Sequence, residues 1–297
     1  MAGKLLRQGA GLILLLLLLA AAPSVLHPAS SADAQPSIGR TNPWGKASVA
    51  RPARLAEAQG GDLNVAAAAS LTDAFGELGG MFESQNPGSH AVFNFGPSSG
   101  LRTQIEQGAP ADVFASADQV QMELAVSNGI IAGTPQIFAR NALVLVVPKD
   151  NPGRITTLQD LARPGVRLVT TAPQVPIGTY TRQALQLMSQ DPAYGADFAD
   201  RVLANVRSEE LDVRAVLAKV ALGEGDGGVV YATDVTPQVA PDVQVIPIPD
   251  QFNVIATYPI AVVQGARQPA LGQRFVALVL SDAGQAVLAR YNFQSAR

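Results

Sequence analysis

The segment LNVAAAASLTDAFGELGGMFES, residues 63–84, begins with an apolar run and continues with a helical pattern. The run at residues 63–69 predicts a buried strand, and the pattern at residues 71–84 predicts a helix. Ser70 stands between them, where its hydroxyl can cap the helix, with Asp73 three residues further on as a capping-box partner. A buried strand that leads directly into a helix is the repeating unit of α/β folds.

The same alternation of strand and helix continues along the chain, whose 297 residues correspond to about two domains of ~150 residues. It predicts an α/β fold with mostly parallel sheets. Further strands are predicted at residues 90–95, 113–115, 143–147, 167–170, 228–231, 243–248 and 260–263. Further helices are predicted at residues 99–107, 119–127, 179–188, 196–203, 213–222, 269–280 and 283–291.

The composition excludes several classes of function. The chain has 21 basic and 24 acidic residues, and no basic patch stands out, so nucleic-acid binding driven by charge is not expected. There is no cysteine, which rules out disulfides, thiolate metal sites and a lipidated cysteine. With only two histidines, a histidine-rich metal cage is excluded as well.

The first 61 residues predict export. Lys4 and Arg7 precede an unbroken apolar stretch of 11 residues, shorter than the ~20 that span a bilayer. Together with the small-residue triplet that ends at Ala34, they predict a signal peptide at residues 1–34, cleaved after Ala34; an uncleaved membrane anchor is the alternative. Residues 35–61 are rich in proline and small residues and predict a flexible tether.

Four strand-to-helix turns carry hydroxyl groups or exposed backbone N–H groups. Ligands of α/β folds bind outside the carboxyl ends of the strands, and a helix N-terminus favours an oxyanion. Each turn alone is better explained as an ordinary helix start, with Asp212 for example as an N-cap. Together they raise the possibility of an anion site without lysine or arginine. The turns lie at residues 66–73, 95–101, 175–180 and 210–214.

Several motifs resemble the periplasmic molybdate-binding proteins of ABC importers. The most specific is GAPADVFASAD at residues 108–118, which follows the family's pattern along its whole length. The matches occur in the family's order and cover roughly residues 62–293. The other matching segments are AAAASLTDA (66–74), SSGL (98–101), VPIGTY (175–180), DVR (212–214), GVVYATD (228–234) and YPIAVV (258–263).

The resemblance implies a two-lobed periplasmic-binding-protein fold of the type II kind, with the ligand in a cleft between the lobes. Lobe one would contain residues 62–140 and 257–297, and lobe two residues 141–256. The chain would cross between the lobes near residues 141–143 and 256–258, and the lobes would close on the ligand.

Carried over position by position, the resemblance also implies the ligand-binding groups. The hydroxyls and amides of Ser70 and Ser98, the amides of Ile177 and Val213 and the phenol of Tyr231 would donate hydrogen bonds to molybdate, and to tungstate. The family often has alanine where Ile177 stands.

The resemblance implies a monomeric binding protein, not an enzyme, with no cofactor and no metal site apart from the molybdenum of the oxyanion. Its partners would be a membrane permease and an ATPase.

Other classes remain open. A protein that binds another small anion, such as sulfate, or a metal ion such as ferric iron would share this architecture; ferric sites need tyrosine pairs or carboxylates, and only Tyr231 lies at a predicted site turn. A transcription factor with this two-lobed body would need a helix-turn-helix domain, which the first 61 residues do not resemble. A hydrolase would need an activated nucleophile, and no nucleophile-elbow motif surrounds Ser70 or Ser98.

Overall fold

The computed structural model describes residues 60–296, which form two mixed β-sheets flanked by helices. The predicted signal peptide, its cleavage site and all but the last two residues of the predicted tether lie outside the described residues. Within residues 60–296, no helix has the length and apolar character needed to cross a membrane.

Sheet one has six strands and helices on both faces. Helices α1 (Thr72–Gln85), α7 (Pro269–Leu280) and α8 (Asp282–Arg290) pack on one face, and α2 (Ser98–Glu106) and α3 (Gln119–Ser127) on the other. In spatial order the strands are β11 (Gln294–Ser295), β4 (Ile131–Asn141), β10 (Ala256–Val263), β3 (Val113–Ala115), β1 (Asp62–Ala68) and β2 (His90–Gly96).

Sheet two has five strands, with α4 (Pro176–Ser189), α5 (Phe198–Ala204) and α6 (Val213–Ala221) around it. In spatial order the strands are β7 (Val206–Glu210), β6 (Leu168–Thr171), β8 (Gly227–Tyr231), β5 (Leu143–Pro148) and β9 (Val243–Pro247). Short 3-10 helices lie at Ala69–Leu71, Leu158–Ala162, Ala232–Asp234 and Ala240–Asp242.

The α/β class is confirmed, but the sheets are mixed rather than mostly parallel. In sheet one, β1 pairs in parallel with β2 and β3, while β10 runs antiparallel to β3 and β4. In sheet two, β6 pairs in parallel with β7 and β8, while β5 runs antiparallel to β8 and β9. The antiparallel strands β4, β5, β9 and β10 flank the segments where the chain passes from one sheet to the other, so each sheet has a parallel half and an antiparallel half.

The sequence analysis did not predict the strands β4 and β7, for identifiable reasons. β4 contains Gly133 and Pro135, which are typical of loops, and the pairing of β10 with β4 shifts register twice along this segment. Such bulges are where a sheet tolerates proline and glycine. β7 is an edge strand with the polar sequence VRSEE, so it has no apolar run to predict it.

The chain passes between the sheets at two neighbouring places. The first passage lies between Asn141 and Leu143, and the second between Pro247 and Ala256. Ala256 pairs directly opposite Asn141, so the second passage ends beside the first. We call sheet one with its helices lobe one and sheet two with its helices lobe two. The predicted boundaries, 140/141 and 256/257, fall one residue inside β4 and β10, next to these passages. The division of the chain at these residues and the movement of the lobes stay predictions.

Candidate functional site

One pocket brings the five predicted ligand residues together. Ser70 and Ser98 of lobe one face it together with Ile177, Val213 and Tyr231 of lobe two. Its cavity volume is about 20 Å³, far below the range of about 300–1,000 Å³ that is common for drug-sized ligands. The pocket therefore suits a small ion better than a sugar or a peptide. Its other lining residues are Ala68, Ala69, Gly96, Pro97, Ala117, Val175, Pro176 and Asp212.

The sheets explain why residues so far apart in sequence meet. The pocket residues of lobe one end or follow β1, β2 and β3, and those of lobe two end or follow β6, β7 and β8. These strands form the parallel halves of the two sheets, so within each lobe their carboxyl ends lie along one edge. The pocket lies where these two edges face each other.

Ser98 is the first residue of α2 and is almost completely buried. Its Oγ accepts a hydrogen bond of 3.0 Å from the backbone N–H of Ala117. Because that bond occupies a lone pair, the hydroxyl proton is free to point into the pocket as a donor.

Ser70 does not cap α1, so the predicted capping box is wrong. A 3-10 turn precedes the helix, which moves Ser70 away from the N-cap position. Its Oγ instead lies 2.9 Å from the hydroxyl of Tyr258, and the amide of Asn141 donates to that same hydroxyl at 3.3 Å. Because the Tyr258 hydroxyl accepts from Asn141, it can donate a hydrogen bond to the Oγ of Ser70, which leaves the serine hydroxyl free to donate into the pocket.

Two helix N-termini supply the backbone donors of lobe two. Asp212 caps α6 by accepting from the N–H of Ala215 at 3.0 Å, as predicted, and Val213 is the first residue of that helix. Ile177 is the second residue of α4, after Pro176. N–H groups in a first helical turn have no partner within their helix, so those of Val213 and Ile177 are available to an anion.

Gly178 lets α4 begin close to β6. A Cβ atom at this position would lie 2.3 Å from the carbonyl oxygen of Ala172 and 2.6 Å from the Oγ1 of Thr171. Because backbone atoms cannot move aside cheaply, a side chain here would displace the helix start. The glycine therefore helps to place the N–H of Ile177 at the pocket.

The hydroxyl of Tyr231 is buried and has no hydrogen-bond partner among the described residues. Burial raises the pKa of this phenol well above its ordinary value, so the group stays protonated and can donate. A buried hydroxyl without a partner costs about 1–3 kcal/mol, which a bound acceptor would offset. This unpartnered donor is the clearest sign in the pocket of an anionic ligand.

Cations are absent from the described lining of the pocket. Arg102 pairs with Glu106 and donates to Gln121 at 2.9 Å, within lobe one. Arg214 pairs with carboxylates of both lobes. Asp212 is the charged residue in the lining, and its side chain caps its own helix. Among residues 60–296 there is also no cluster of histidine, aspartate and glutamate that could hold a metal ion.

Sequence reasoning gave no role to Asn141 and Tyr258, which form a buried polar network behind the pocket. The Asn141 amide donates to the Oγ1 of Thr233 in lobe two at 2.7 Å as well as to Tyr258 in lobe one. Tyr258 belongs to a segment with the family resemblance, but nothing local ties it to Ser70. The network links the two lobes at the first passage of the chain.

Two buried carboxyl groups lie close to the pocket. Burial raises the pKa of Asp118 to about 6, although hydrogen bonds from the N–H of Gln121 and from Ser116 oppose the shift. Burial likewise raises the pKa of Asp234 to about 7, and the positive charge of Arg214 opposes that shift. Both groups therefore favour their neutral forms more than exposed carboxyls do.

Residues 63–294 match the family described as bacterial extracellular solute-binding proteins. The molybdate-binding protein ModA of Mycobacterium tuberculosis is 42% identical over 229 residues, which are 77% of this chain and 83% of that protein.

Two solved structures share the fold. The periplasmic molybdate-binding protein of Azotobacter vinelandii has a TM-score of 0.67 and 20% identity, covering 79% of this chain and 100% of that one. The sulfate-binding protein SubI of Mycobacterium tuberculosis has a TM-score of 0.71 and 19% identity, covering 79% of this chain and 87% of that one. Because both sequence identities are so low, the similarity to these two structures shows a shared fold and nothing about the ligand.

Proposed function

The chain belongs to the family of bacterial extracellular solute-binding proteins, and on that premise we propose that it captures molybdate between its two lobes for an ABC importer. Proteins of this family bind solutes and are not enzymes, and they carry no cofactor. The proposed ligand groups are Ser70, Ser98, Ile177, Val213 and Tyr231.

The observation that carries the proposal is a pocket lined by hydrogen-bond donors and, among the described residues, by no cation. Hydrogen bonds to a charged group contribute ~1.5–3 kcal/mol each, so about seven of them give a gross ~10–20 kcal/mol. Association and ordering subtract several kcal/mol or more, which leaves affinities between micromolar and nanomolar. The 42% identity to a protein named for molybdate binding supports this ligand over the others.

The chemistry of the donors favours a dianion without a proton. Hydrogen phosphate carries a proton near neutral pH and needs an acceptor, and the one carboxylate in the described lining already caps α6. The proton of hydrogen phosphate would therefore have no acceptor in the pocket, which lowers the affinity for phosphate. Sulfate has the right charge but a smaller radius, so donors set for molybdate would leave several of its bonds stretched. Tungstate matches molybdate in both respects.

We therefore expect the affinities to follow the order molybdate ≈ tungstate ≫ sulfate > phosphate. Calorimetric titration of the purified chain from Gln35 onward with each anion, followed by competition against molybdate, measures this order. Sulfate binding as tightly as molybdate would support the alternative of a sulfate-binding protein, and phosphate binding as tightly would mean that the pocket contains an acceptor.

The proposed cellular role follows from export. Cleavage after Ala34 would release a monomeric protein that passes molybdate in the periplasm to a permease with an ATPase. An uncleaved signal would instead keep the protein at the cell surface, with residues 35–61 as its tether. We expect the mature protein to be found outside the cytoplasm with Gln35 as its first residue. Cell fractionation and N-terminal mass spectrometry check this, and a full-length chain retained in the cytoplasm would contradict it.

A further inference from the structure

Arg214 makes the only ion pair that joins the two lobes within residues 60–296. Its Nη2 lies 2.5 Å from the Oδ2 of Asp73, which is in the first turn of α1 in lobe one. Its Nε lies 3.1 Å from the Oδ1 of Asp234 in lobe two. A single guanidinium thus connects carboxylates on both sides of the pocket.

All three charged residues are attached to the segments that line the pocket. Asp73 lies three residues after Ser70, and Arg214 directly follows Val213. The Oδ2 of Asp234 accepts the backbone N–H of Tyr231 at 3.0 Å. The ion pair therefore holds the donor segment of lobe one against the two donor segments of α6 and β8.

The burial of the two carboxylates differs, and this assigns them different roles. Asp234 is fully buried and stays beside Arg214 within lobe two. The side chain of Asp73 is 40% exposed and reaches Arg214 across the cleft. Opening of the lobes would break the contact with Asp73 and leave the contact with Asp234 intact.

We propose that the Arg214–Asp73 ion pair is a latch that holds the lobes closed over the bound oxyanion and slows its release. Arg214 does not line the pocket, so the latch acts on closure rather than by contact with the ligand. The latch rests on the proposed function for the identity of the ligand, although closure of the lobes can be measured in the ligand-free protein.

The test measures the rate of molybdate dissociation by stopped flow for the native protein, Asp73→Asn and Glu77→Gln. Glu77 is a matched control, because it lies one turn further along α1 and pairs with Arg290 inside lobe one. We expect Asp73→Asn to speed dissociation by about 1.5- to 5-fold, as for a partly exposed ion pair, and Glu77→Gln to leave it unchanged.

Salt and a second variant separate a latch from a purely structural contact. Since salt screens partly exposed charges, molar salt should speed dissociation from the native protein more than from Asp73→Asn. Arg214→Gln should add nothing to the effect of Asp73→Asn on dissociation when the two are combined. Unchanged dissociation in Asp73→Asn, or additive effects of the two substitutions, would overturn the latch.

A readout without ligand separates this idea from the proposed function. Because the chain has no cysteine, Val126→Cys and Leu222→Cys at exposed positions of the two lobes would carry spin labels specifically. We expect Asp73→Asn to lengthen the distance between the labels in the ligand-free protein, and Glu77→Gln to leave it unchanged. If the native protein bound no oxyanion but Asp73→Asn lengthened the distance between the labels, the proposed function would be wrong and the latch would stand. If Asp73→Asn left this distance unchanged, the latch would be overturned.

Discussion

Replacing Ser98 with alanine is expected to weaken molybdate binding by about 1.5–3 kcal/mol, or about 10- to 150-fold. The substitution removes a hydroxyl donor from a pocket in which Ser98 is almost completely buried. It also leaves the N–H of Ala117 without the acceptor that it has now. Ser70→Ala and Tyr231→Phe each remove one donor and should lose affinity in the same range.

Calorimetric titration of the three variants with molybdate measures these losses. Ser99→Ala is the matched control, because Ser99 is the next residue of α2 but does not line the pocket. It should bind molybdate as the native protein does. Native affinity in all three donor variants would remove the proposed site.

Asp118→Asn is expected to change how the stability of the fold depends on pH. Burial raises the pKa of Asp118 to about 6 in the folded chain, against about 3.9 in an unfolded one. Between these two pH values Asp118 binds its proton more tightly in the folded state than in the unfolded state. The free energy of unfolding therefore falls as the pH rises. Asparagine does not ionise, so the stability of the variant relative to the native protein should rise by about 2–3 kcal/mol from pH 4 to pH 7.

Urea unfolding at pH 4, 5, 6 and 7 measures this difference. The comparison variant is Asp118→Ala, because Asp118 also caps α3 by accepting from the N–H of Gln121. Asparagine keeps that cap, whereas Asp118→Ala should have a free energy of unfolding about 1 kcal/mol lower than Asp118→Asn at every pH. Parallel stability curves for the native protein and Asp118→Asn would show that the ionisation of Asp118 has no effect on the fold.

Local pattern was enough to predict most of the elements but not the direction of their pairing. β1 and β3 are apolar and completely or largely buried, and an apolar run predicts such strands well. β4 was missed because Gly133 and Pro135 interrupt it. Whether strands run parallel or antiparallel depends on where the chain returns to a sheet, and no short segment contains that information.

The same limit applies to the site. The strand-to-helix turns and the family resemblance predicted the donors that the structure brings into one pocket. The residues that hold those donors could not be predicted, since their contacts join distant parts of the chain. Ser70 meets Tyr258 across 188 positions, and Arg214 meets Asp73 across 141.

The use of backbone amides has a consequence for how such a protein can evolve. The proposed donors at Ile177 and Val213 are main-chain N–H groups, which every residue except proline supplies. Genetic drift at these two codons can therefore replace the side chains while the hydrogen bonds are kept. The size of the side chain at position 177 becomes a variable that natural selection can adjust separately from the recognition of charge. A lineage could in this way shift its preference between oxyanions of different radius through intermediates that all still bind.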